Sequence, residues 1–397
     1  MYVDTPLSSW SIEALPFFYR CQKTPSNQDY GLPDQLPFTL EFDAKLGLAR
    51  QGKNVDVERA LELCYQQGSE ISGMMEDNGI GQHYAADFLA YIEKNELALS
   101  GRRVLEIGCG TGYLLSLLQA RGADVVGIEP GGQGGESGNR YGVRVIKGFF
   151  PTTAITDKFD VIIAYGVLEH IIDPVQFLKD VANSLRPGGT AYIAVPNCAP
   201  YLESGDISCL LHEHWSYFNQ GSLRRVCVAA GMEVSIEPSG FGGSIYCRAT
   251  LGAVAEADFR LETESAASEF HGFQAKARQT SARMSAFIQG AGDAGIYVPG
   301  RMINLLAITP GAASGNLRFF DDNASMKGLY YPGFDFPIED FSALKKAPPA
   351  RLLIATSSFH AQVSERISAA GVDIPLTTWA DFFSGLDVAE LNGSDGC

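Results

Sequence analysis

With 397 residues, the chain is too long for one ordinary hydrophobic core and predicts two or three domains. Its formal net charge of -16 disfavours a nucleic-acid backbone or an anionic membrane as partner, because both would repel it. The sequence has no run of about 18 apolar residues and no basic amino-terminal segment, so we expect neither membrane insertion nor secretion. The eight cysteines lack any Cys-x-x-Cys pair, which is typical of reduced thiols and predicts a cytoplasmic protein.

Residues 1–95 form the first predicted region, which begins with an irregular, proline-rich stretch. Apolar residues then recur at helical spacing over 55–66 and 82–92. We therefore expect a helical or irregular region before the first chemically informative motif.

That motif is a short apolar strand, 104–107, followed by glycines at every second position and a helix over 114–119. Glycines 108, 110 and 112 lack the Cβ atoms that would keep a ligand away from the backbone, and the free N–H groups of the helix point at the loop. A dinucleotide-binding loop would need a third glycine at position 113 or 115, where the chain has Tyr113 and Leu115. The spacing therefore disfavours a nicotinamide-dependent oxidoreductase.

Four further strand patterns follow, over 124–129, 143–148, 159–164 and 190–195, with a helix over 174–185 before the last of them. Alternating strands and helices of this length predict a doubly wound, Rossmann-like α/β domain with a parallel sheet. The first of these strands ends in Glu129, the second leads to Phe149 and the third to Tyr165. Ligands of such sheets collect at the carboxyl ends of the strands.

The run Glu106-x-Gly108-x-Gly110-x-Gly112 resembles motif I of the class I S-adenosylmethionine (SAM) methyltransferases, and the likeness extends over residues 101–250. The resemblance implies a SAM-binding domain over 96–250. It implies ribose hydrogen bonds to Glu129, adenine contacts near Phe149 and contacts to the methionine half at the end of strand 159–164. The implied cofactor-binding residues are Glu106, Gly108, Cys109, Gly110, Gly112, Glu129, Phe149, Tyr165 and Leu168.

A second stretch with residues suited to acid–base chemistry, 211–218, contains a His-Glu-His run. It is similar to the sugar C-methyltransferases of deoxysugar pathways, in which such a run supplies a general base. The similarity implies that His214 is the base, that Glu213 is its partner or a sugar ligand, and that His212 contacts the substrate. Imidazole, with a reference pKa of about 6.5, suits proton abstraction near neutral pH. Should His214 not be the base, Glu213 or Tyr217 takes the proton.

The run allows two other interpretations. Cys209 precedes His212 by three residues, but no second ligand pair stands at zinc spacing, so we expect no metal. A histidine before an aromatic pair also anchors loops in methyltransferases with unrelated substrates. Base and anchor therefore both stay open for His214.

Residues 251–290 predict one linking helix, and residues 291–397 predict a second, smaller Rossmann-like domain that also resembles the sugar C-methyltransferases. In this domain Arg301, at a helix start, suits binding of a substrate diphosphate, although a purely structural or dimer-forming domain explains the turn equally well. Those enzymes begin with a zinc domain built on four cysteines, whereas residues 1–95 contain only Cys21 and Cys64. This departure weakens the inference that the acceptor is a deoxysugar nucleotide.

We therefore expect a SAM-dependent methyltransferase that acts on a small-molecule acceptor, with a nucleotide-linked sugar as first choice and either carbon or oxygen as the methylated atom. An O-methyltransferase of a secondary metabolite or of a surface polysaccharide precursor is the alternative. A non-catalytic SAM or nucleotide-sugar binding protein is the alternative from another class. The sequence leaves the oligomeric state open between monomer and dimer.

Overall fold

The computed structural model describes residues 9–17, 21–67, 75–96, 98–131, 140–252, 259–312, 316–356 and 360–384. These residues fall into two compact units. The first contains Leu40–Ala199 and Glu213–Ala267, and the second contains Ser9–Thr39, Pro200–His212 and the chain from Ser268 onward. None of the described helices combines the length and the apolar character needed to cross a bilayer.

The strands, numbered in chain order, have the following bounds. They are β1 Ser9–Pro16, β2 Gln35–Asp43, β3 Leu48–Gln51, β4 Arg103–Ile107, β5 Asp124–Glu129, β6 Arg144–Lys147, β7 Phe159–Tyr165, β8 Leu185–Pro196, β9 Ser216–Tyr217, β10 Met232–Pro238, β11 Ser244–Leu251, β12 Ala294–Tyr297, β13 Leu317–Phe320, β14 Ile338–Glu339, β15 Arg351–Ile354 and β16 Leu376–Thr378.

The α-helices are numbered in the same way, and short 3-10 turns lie between them. The helices are α1 Val55–Gln67, α2 Gly79–Asn95, α3 Tyr113–Gln119, α4 Pro174–Ser184, α5 Ala199–Ser204, α6 Gln220–Ala229, α7 Arg260–Gln289, α8 Ile303–Ala307, α9 Phe341–Lys346, α10 His360–Ala369 and α11 Trp379–Ser384. The 3-10 turns are Gln28–Tyr30, Leu168–His170, Ile207–Cys209 and Pro299–Met302.

The first unit is built on a seven-stranded sheet in the order β10-β11-β8-β7-β4-β5-β6. The pairs from β8 to β6 are parallel, whereas β11 pairs antiparallel with both β8 and β10. β7 is buried over nearly its whole length, as expected for a central strand covered on both faces. The predicted doubly wound α/β class is therefore confirmed.

Hydrophobic clusters lie on both faces of this sheet. One face carries Leu105 and Ile107 of β4 and is covered by α4 and α6. The other face carries Val104 and is covered by α2 and α3. Alternate residues of a strand point to opposite faces, so each strand contributes to two separate cores.

The second unit contains a five-stranded, all-parallel sheet in the order β14-β13-β12-β15-β16. A cluster around Tyr297, Phe320 and Leu352 fills one of its faces. This topology agrees with the predicted Rossmann-like character of residues 291–397. The described part of the predicted linking helix is α7, which ends at Gln289.

The amino-terminal region differs from the helical or irregular expectation because it contains β1, β2 and β3 as well as the two predicted helices. β2 alternates buried and exposed residues, with Leu36, Phe38, Leu40 and Phe42 buried. This period of two is a strand signal that the nearby prolines obscured. The last four residues of β2 pair antiparallel with β3, and β3 pairs with β9.

Gly127 in β5 sets how closely the glycine loop approaches the sheet. A Cβ atom there would lie 2.4 Å from Cys109 Sγ and 2.8 Å from Leu115 Cδ1.

We predict that Gly127→Ala destabilises the protein by about 1–3 kcal/mol, as overpacking of a core does, and that this appears as a lower urea midpoint. Adding Cys109→Ala should recover part of the loss, because it removes the nearer obstacle. Gly272→Ala in α7 is the control, since that site is open and alanine favours a helix. An unchanged midpoint for Gly127→Ala would contradict the close packing.

Candidate functional site

The glycine loop lies where the strand order of the first sheet reverses. β4 is hydrogen-bonded to β5 on one side and to β7 on the other. The loop 108–112 follows β4, and the loop 166–170 follows β7, so the two loops leave adjacent strands at the same end of the sheet. Such a reversal opens a crevice outside the carboxyl ends, where doubly wound sheets bind ligands.

The three loop glycines have positive φ angles, of 70° at Gly108, 51° at Gly110 and 76° at Gly112. Other residue types rarely adopt this conformation. At Gly108 a Cβ atom would also stand 2.6 Å from Val167 Cγ2, on the loop after β7. The sequence spacing therefore reflects both backbone conformation and the close approach of the two loops.

Glu129, the last residue of β5, holds the glycine loop in place. Its Oε2 accepts the backbone N–H of Gly110 at 2.9 Å, and its Oε1 accepts that of Gly131 at 2.8 Å. The residue is 3% exposed. A carboxylate has about four lone-pair positions, so two remain for a ligand's hydroxyl groups after the backbone bonds are made.

Glu106, in β4, is a second buried carboxyl group at this end of the sheet. It is 3% exposed, and its Oε2 has no hydrogen-bond partner among the described residues. Burial, followed by the nearby charge of Glu129, raises its pKa well above the ordinary value, which the backbone N–H of Leu115 offsets only in part. An unsatisfied buried acceptor of this kind suits a cationic or hydrogen-bond-donating ligand, and SAM carries an ammonium and a sulfonium group.

The other predicted cofactor contacts occupy different environments. Phe149, two residues after β6, is 63% exposed at the ligand end of the sheet, whereas Leu168 is fully buried in the core. Tyr165 ends β7 and packs edge-on against Phe88 of α2, with ring centroids 5.0 Å apart. The side chain of Cys109 lies in the core against Gly127, so only its backbone can face a ligand.

The segment around α2 closes one side of this region. Asp87 of α2 accepts hydrogen bonds from the backbone N–H groups of Gly240 and Phe241 and from the Tyr246 hydroxyl. Just before the helix, the carbonyl of Met75 accepts a hydrogen bond from the Thr111 hydroxyl of the glycine loop at 3.4 Å. Helix α2 is thereby fixed beside the glycine loop.

The loop after β7 and the His-Glu-His run meet in a cluster of two imidazoles and two carboxyl groups. The rings of His170 and His214 lie 4.8 Å apart, centroid to centroid, in an edge-to-face arrangement. His170 Nδ1 lies 2.9 Å from the carbonyl oxygen of Glu213, which fixes this nitrogen as the donor. Glu169 is 3% exposed, and Glu213 is half-buried.

Burial sets the protonation of the cluster. It lowers the pKa of His170 to about 4, and burial together with His170 lowers that of His214 well below its usual range. Burial raises the pKa of Glu169 to about 8, and raises that of Glu213 to about 8. Both imidazoles are therefore neutral at neutral pH and offer lone pairs.

The three residues of the His-Glu-His run fall into different compact units. Glu213 and His214 belong to the first unit, whereas His212 belongs to the second. There His212 is 4% exposed, its ring lies between Phe17 and Phe38, and its Nε2 is 3.3 Å from the carbonyl oxygen of Leu36. Its described contacts are those of a packed side chain, and the expected substrate contact of His212 stays a prediction.

Two further predicted residues, Tyr217 and Arg301, have contrasting positions. Tyr217 is 1% exposed, and its ring centroid lies 6.3 Å from that of His214. The backbone of Arg301 lies in the 3-10 turn after β12, while its side chain lies outside what the structure describes. The predicted diphosphate contact of Arg301 therefore stays a prediction.

Sequence reasoning missed Glu169 and His170 as members of the site. The available signal was their position directly after the fourth strand of the parallel sheet, where ligands collect. In the sequence, a metal site at the His-Glu-His run would use Cys209, His212 and His214 as ligands. The structure instead brings His214 to Glu169 and His170.

The pH dependence of stability tests the environment of Glu106. The pKa of Glu106 in the folded state lies above the ordinary value of 4.5. Between about pH 4.5 and this raised pKa, the unfolded chain has lost the proton and the folded protein still holds it, so the stability of the fold decreases as pH rises through this range. We predict that Glu106→Gln raises the Tm at pH 7 and that this gain disappears near pH 4. Thermal unfolding of the ligand-free protein across this range measures it, with exposed Glu233→Gln as the control. Destabilisation of the Gln variant at every pH would contradict this environment.

Comparisons with known proteins find similarity over part of the chain. Residues 78–235 match a family model described as a methyltransferase domain. A ubiquinone biosynthesis O-methyltransferase from Aeromonas salmonicida is 29% identical over 37% of this chain and 69% of its own length. The C-methyltransferase NovU from Streptomyces niveus is 31% identical over 34% of this chain and 33% of its own length. The magnesium protoporphyrin IX methyltransferase of Synechocystis PCC 6803 aligns with a TM-score of 0.36 and 17% identity, over 43% of this chain and 83% of its own.

From the match to the family model, residues 78–235 of this chain form a class I methyltransferase domain, whose cofactor is SAM.

Proposed function

We propose that this protein transfers the methyl group of SAM to a small-molecule acceptor, with a nucleotide-linked sugar as first choice, and that His214 is the general base. The observation that carries the proposal is the adjacency of the two loops. The glycine loop follows β4 and the Glu169–His170 turn follows β7, and these strands are hydrogen-bonded neighbours. A cofactor on the first loop would therefore lie close to the imidazoles on the second.

The cofactor half of the site is assigned as follows. Glu129 binds the ribose hydroxyls through the lone pairs that Gly110 and Gly131 leave free. The glycine loop lets the cofactor approach the backbone, and the unsatisfied oxygen of Glu106 faces a cationic part of it. Phe149 offers an exposed ring for the adenine, and Tyr165 lies toward the methionine half. SAM, when bound, supplies a methyl group on a positively charged sulfur.

The acceptor half relies on His214. Its imidazole is neutral at neutral pH because burial disfavours the charged form. It can therefore take a proton from an acceptor hydroxyl or an acidic carbon, which leaves a nucleophile for the methyl group. His170 and Glu213 position it: the Glu213 carbonyl fixes the His170 ring, which packs edge-on against His214. Alignment and exclusion of water supply the rest of the rate acceleration.

Each of the two candidate acceptor classes is supported by a different similarity. The likeness of the central and carboxyl-terminal regions to sugar C-methyltransferases favours a nucleotide-linked sugar. The similarity to ubiquinone biosynthesis O-methyltransferases supports oxygen as the methylated atom. An O-methyltransferase of a secondary metabolite or of a surface polysaccharide precursor is the second candidate. A protein that only binds SAM or a nucleotide sugar would show no turnover with either class.

The ribose assignment predicts that Glu129→Ala weakens SAM binding by about tenfold or more, since a lost hydrogen bond to a charged group costs about 1.5–3 kcal/mol. Calorimetric titration with SAM measures this. Asp124→Ala is the matched control, because this exposed acid begins the same strand. Glu129→Gln, which keeps one acceptor oxygen, should fall between the two. Wild-type affinity in a folded Glu129→Ala protein would end the assignment.

The base assignment predicts that His214→Gln lowers kcat by about 10² to 10⁴ and leaves the SAM dissociation constant unchanged. Steady-state kinetics with panels of nucleotide sugars and phenolic acceptors measure kcat, and calorimetry measures SAM binding. The exposed His271→Gln is the control for the same chemical change. A His214→Gln variant that keeps most of its kcat but melts at a lower temperature would make His214 a loop anchor. Glu213 or Tyr217 would then be the next candidate base.

A further inference from the structure

Three side chains, the proposed base among them, form a set that the methyl transfer uses only in part. The donor atoms of Glu169, His170 and His214 all lie within 4.8 Å of one another. His214 has a role as the proposed base and His170 as its support, whereas Glu169 has none. The buried carboxyl group of Glu169 lies beside two neutral imidazoles without a role in the proposed methyl transfer.

Glu169 is poorly satisfied by the protein alone. The residue is 3% exposed, and its Oε2 has no hydrogen-bond partner in the described part of the chain. Burying a carboxyl oxygen without a partner is costly, and native proteins leave few such atoms. A proton or a cation at this position would remove the cost.

His170 is oriented as metal-binding histidines usually are. Its Nδ1 donates to the carbonyl oxygen of Glu213 at 2.9 Å, so the lone pair is on Nε2. A backbone carbonyl or carboxylate bonded to the other ring nitrogen is the common device that fixes the tautomer of a metal ligand. This contact therefore prepares His170 to coordinate an ion.

The two loops that supply the three ligands are tied together before any ion arrives. The backbone N–H of Trp215 donates to the carbonyl of Glu169 at 2.7 Å. Ser216 and Tyr217, which follow, pair with β3. The spacing of the ligands is thus set by backbone hydrogen bonds, and only the side chains need to move.

We propose that Glu169, His170 and His214 bind a divalent transition-metal ion of the Zn²⁺ or Co²⁺ type, and that the bound ion switches off the base. Two imidazoles and one carboxylate are a ligand set that such ions favour. With metal–ligand bonds of about 2.0–2.2 Å, the donor atoms must lie about 3–4 Å apart, so the side chains close in by roughly 1 Å.

The inhibitory role rests on the proposed function of His214. An imidazole nitrogen has one lone pair, which can accept a proton from the acceptor or coordinate a metal ion, but not both. Metal binding at these residues therefore removes the base while leaving Glu106, the glycine loop and Glu129 untouched. Inhibition should consequently be insensitive to the SAM concentration.

Titration of the chelator-treated, full-length protein with Co²⁺ tests the site directly, because the visible absorption of Co²⁺ reports its coordination. We expect one Co²⁺ per chain in the wild type and an affinity at least tenfold lower in Glu169→Gln and in His170→Gln. His271→Gln, an exposed histidine of α7, should bind as the wild type does. Two variants are used because either could fold poorly, and circular dichroism identifies that case.

Turnover assays separate this inference from the proposed function. We expect Zn²⁺ to inhibit methyl transfer at any SAM concentration and a chelator to restore it. Equal Co²⁺ binding by wild type, Glu169→Gln and His170→Gln would overturn the metal site, while turnover of the metal-free enzyme would leave the methyltransferase function intact. Activation by Zn²⁺ would overturn both the switch and the role of His214 as base, and it would leave the metal site standing.

Discussion

The hydrogen bonds between β4 and β7 are the constraint on which the site depends. Since the strand order reverses at this pair, the loops that follow the two strands start side by side, with no helix between them. One loop needs glycine because its backbone turns through positive φ and because Val167 of the other loop touches Gly108. The glycine loop and the Glu169–His170 turn therefore follow two neighbouring strand ends.

Buried carboxyl groups give this region its electrostatic character. Glu129 is satisfied by two backbone N–H groups, whereas Glu106 has an oxygen without a partner and a raised pKa. Keeping the unpartnered oxygen of Glu106 buried in the ligand-free fold costs stability. The same groups gain most when a cationic, hydrogen-bonding cofactor arrives. If Glu106 contacts the cofactor as proposed, cofactor binding would remove this cost.

The imidazole pair shows the same relation at the acceptor side. Burial keeps both rings neutral, so they offer lone pairs at a pH where an exposed histidine would be partly charged. A neutral imidazole can accept a proton or coordinate a metal ion, and the buried carboxyl group of Glu169 lies beside both rings. The proposed base chemistry and the proposed metal binding therefore both depend on the same burial.

The sequence by itself determined the α/β class, the glycine loop and the acid at the end of β5. Each is a local pattern: strand and helix periods, positive-φ glycines and a strand-end position can be seen without knowing what lies nearby. The same patterns were harder to recognise at β2, where prolines hid an alternation that the burial of Leu36, Phe38 and Leu40 makes plain.

Tertiary structure alone decided which polar side chains work together. His212 and His214 are separated by one residue but belong to different compact units, while His170 meets His214 across a long stretch of chain. A short polar motif has no periodicity that fixes where its side chains point. Their directions follow from contacts made elsewhere, such as the Trp215 N–H bond to the carbonyl of Glu169 and the Phe17 and Phe38 rings around His212. These contacts join residues far apart in sequence. The histidines could therefore be identified as candidates from the sequence, but the side chains that surround them could not.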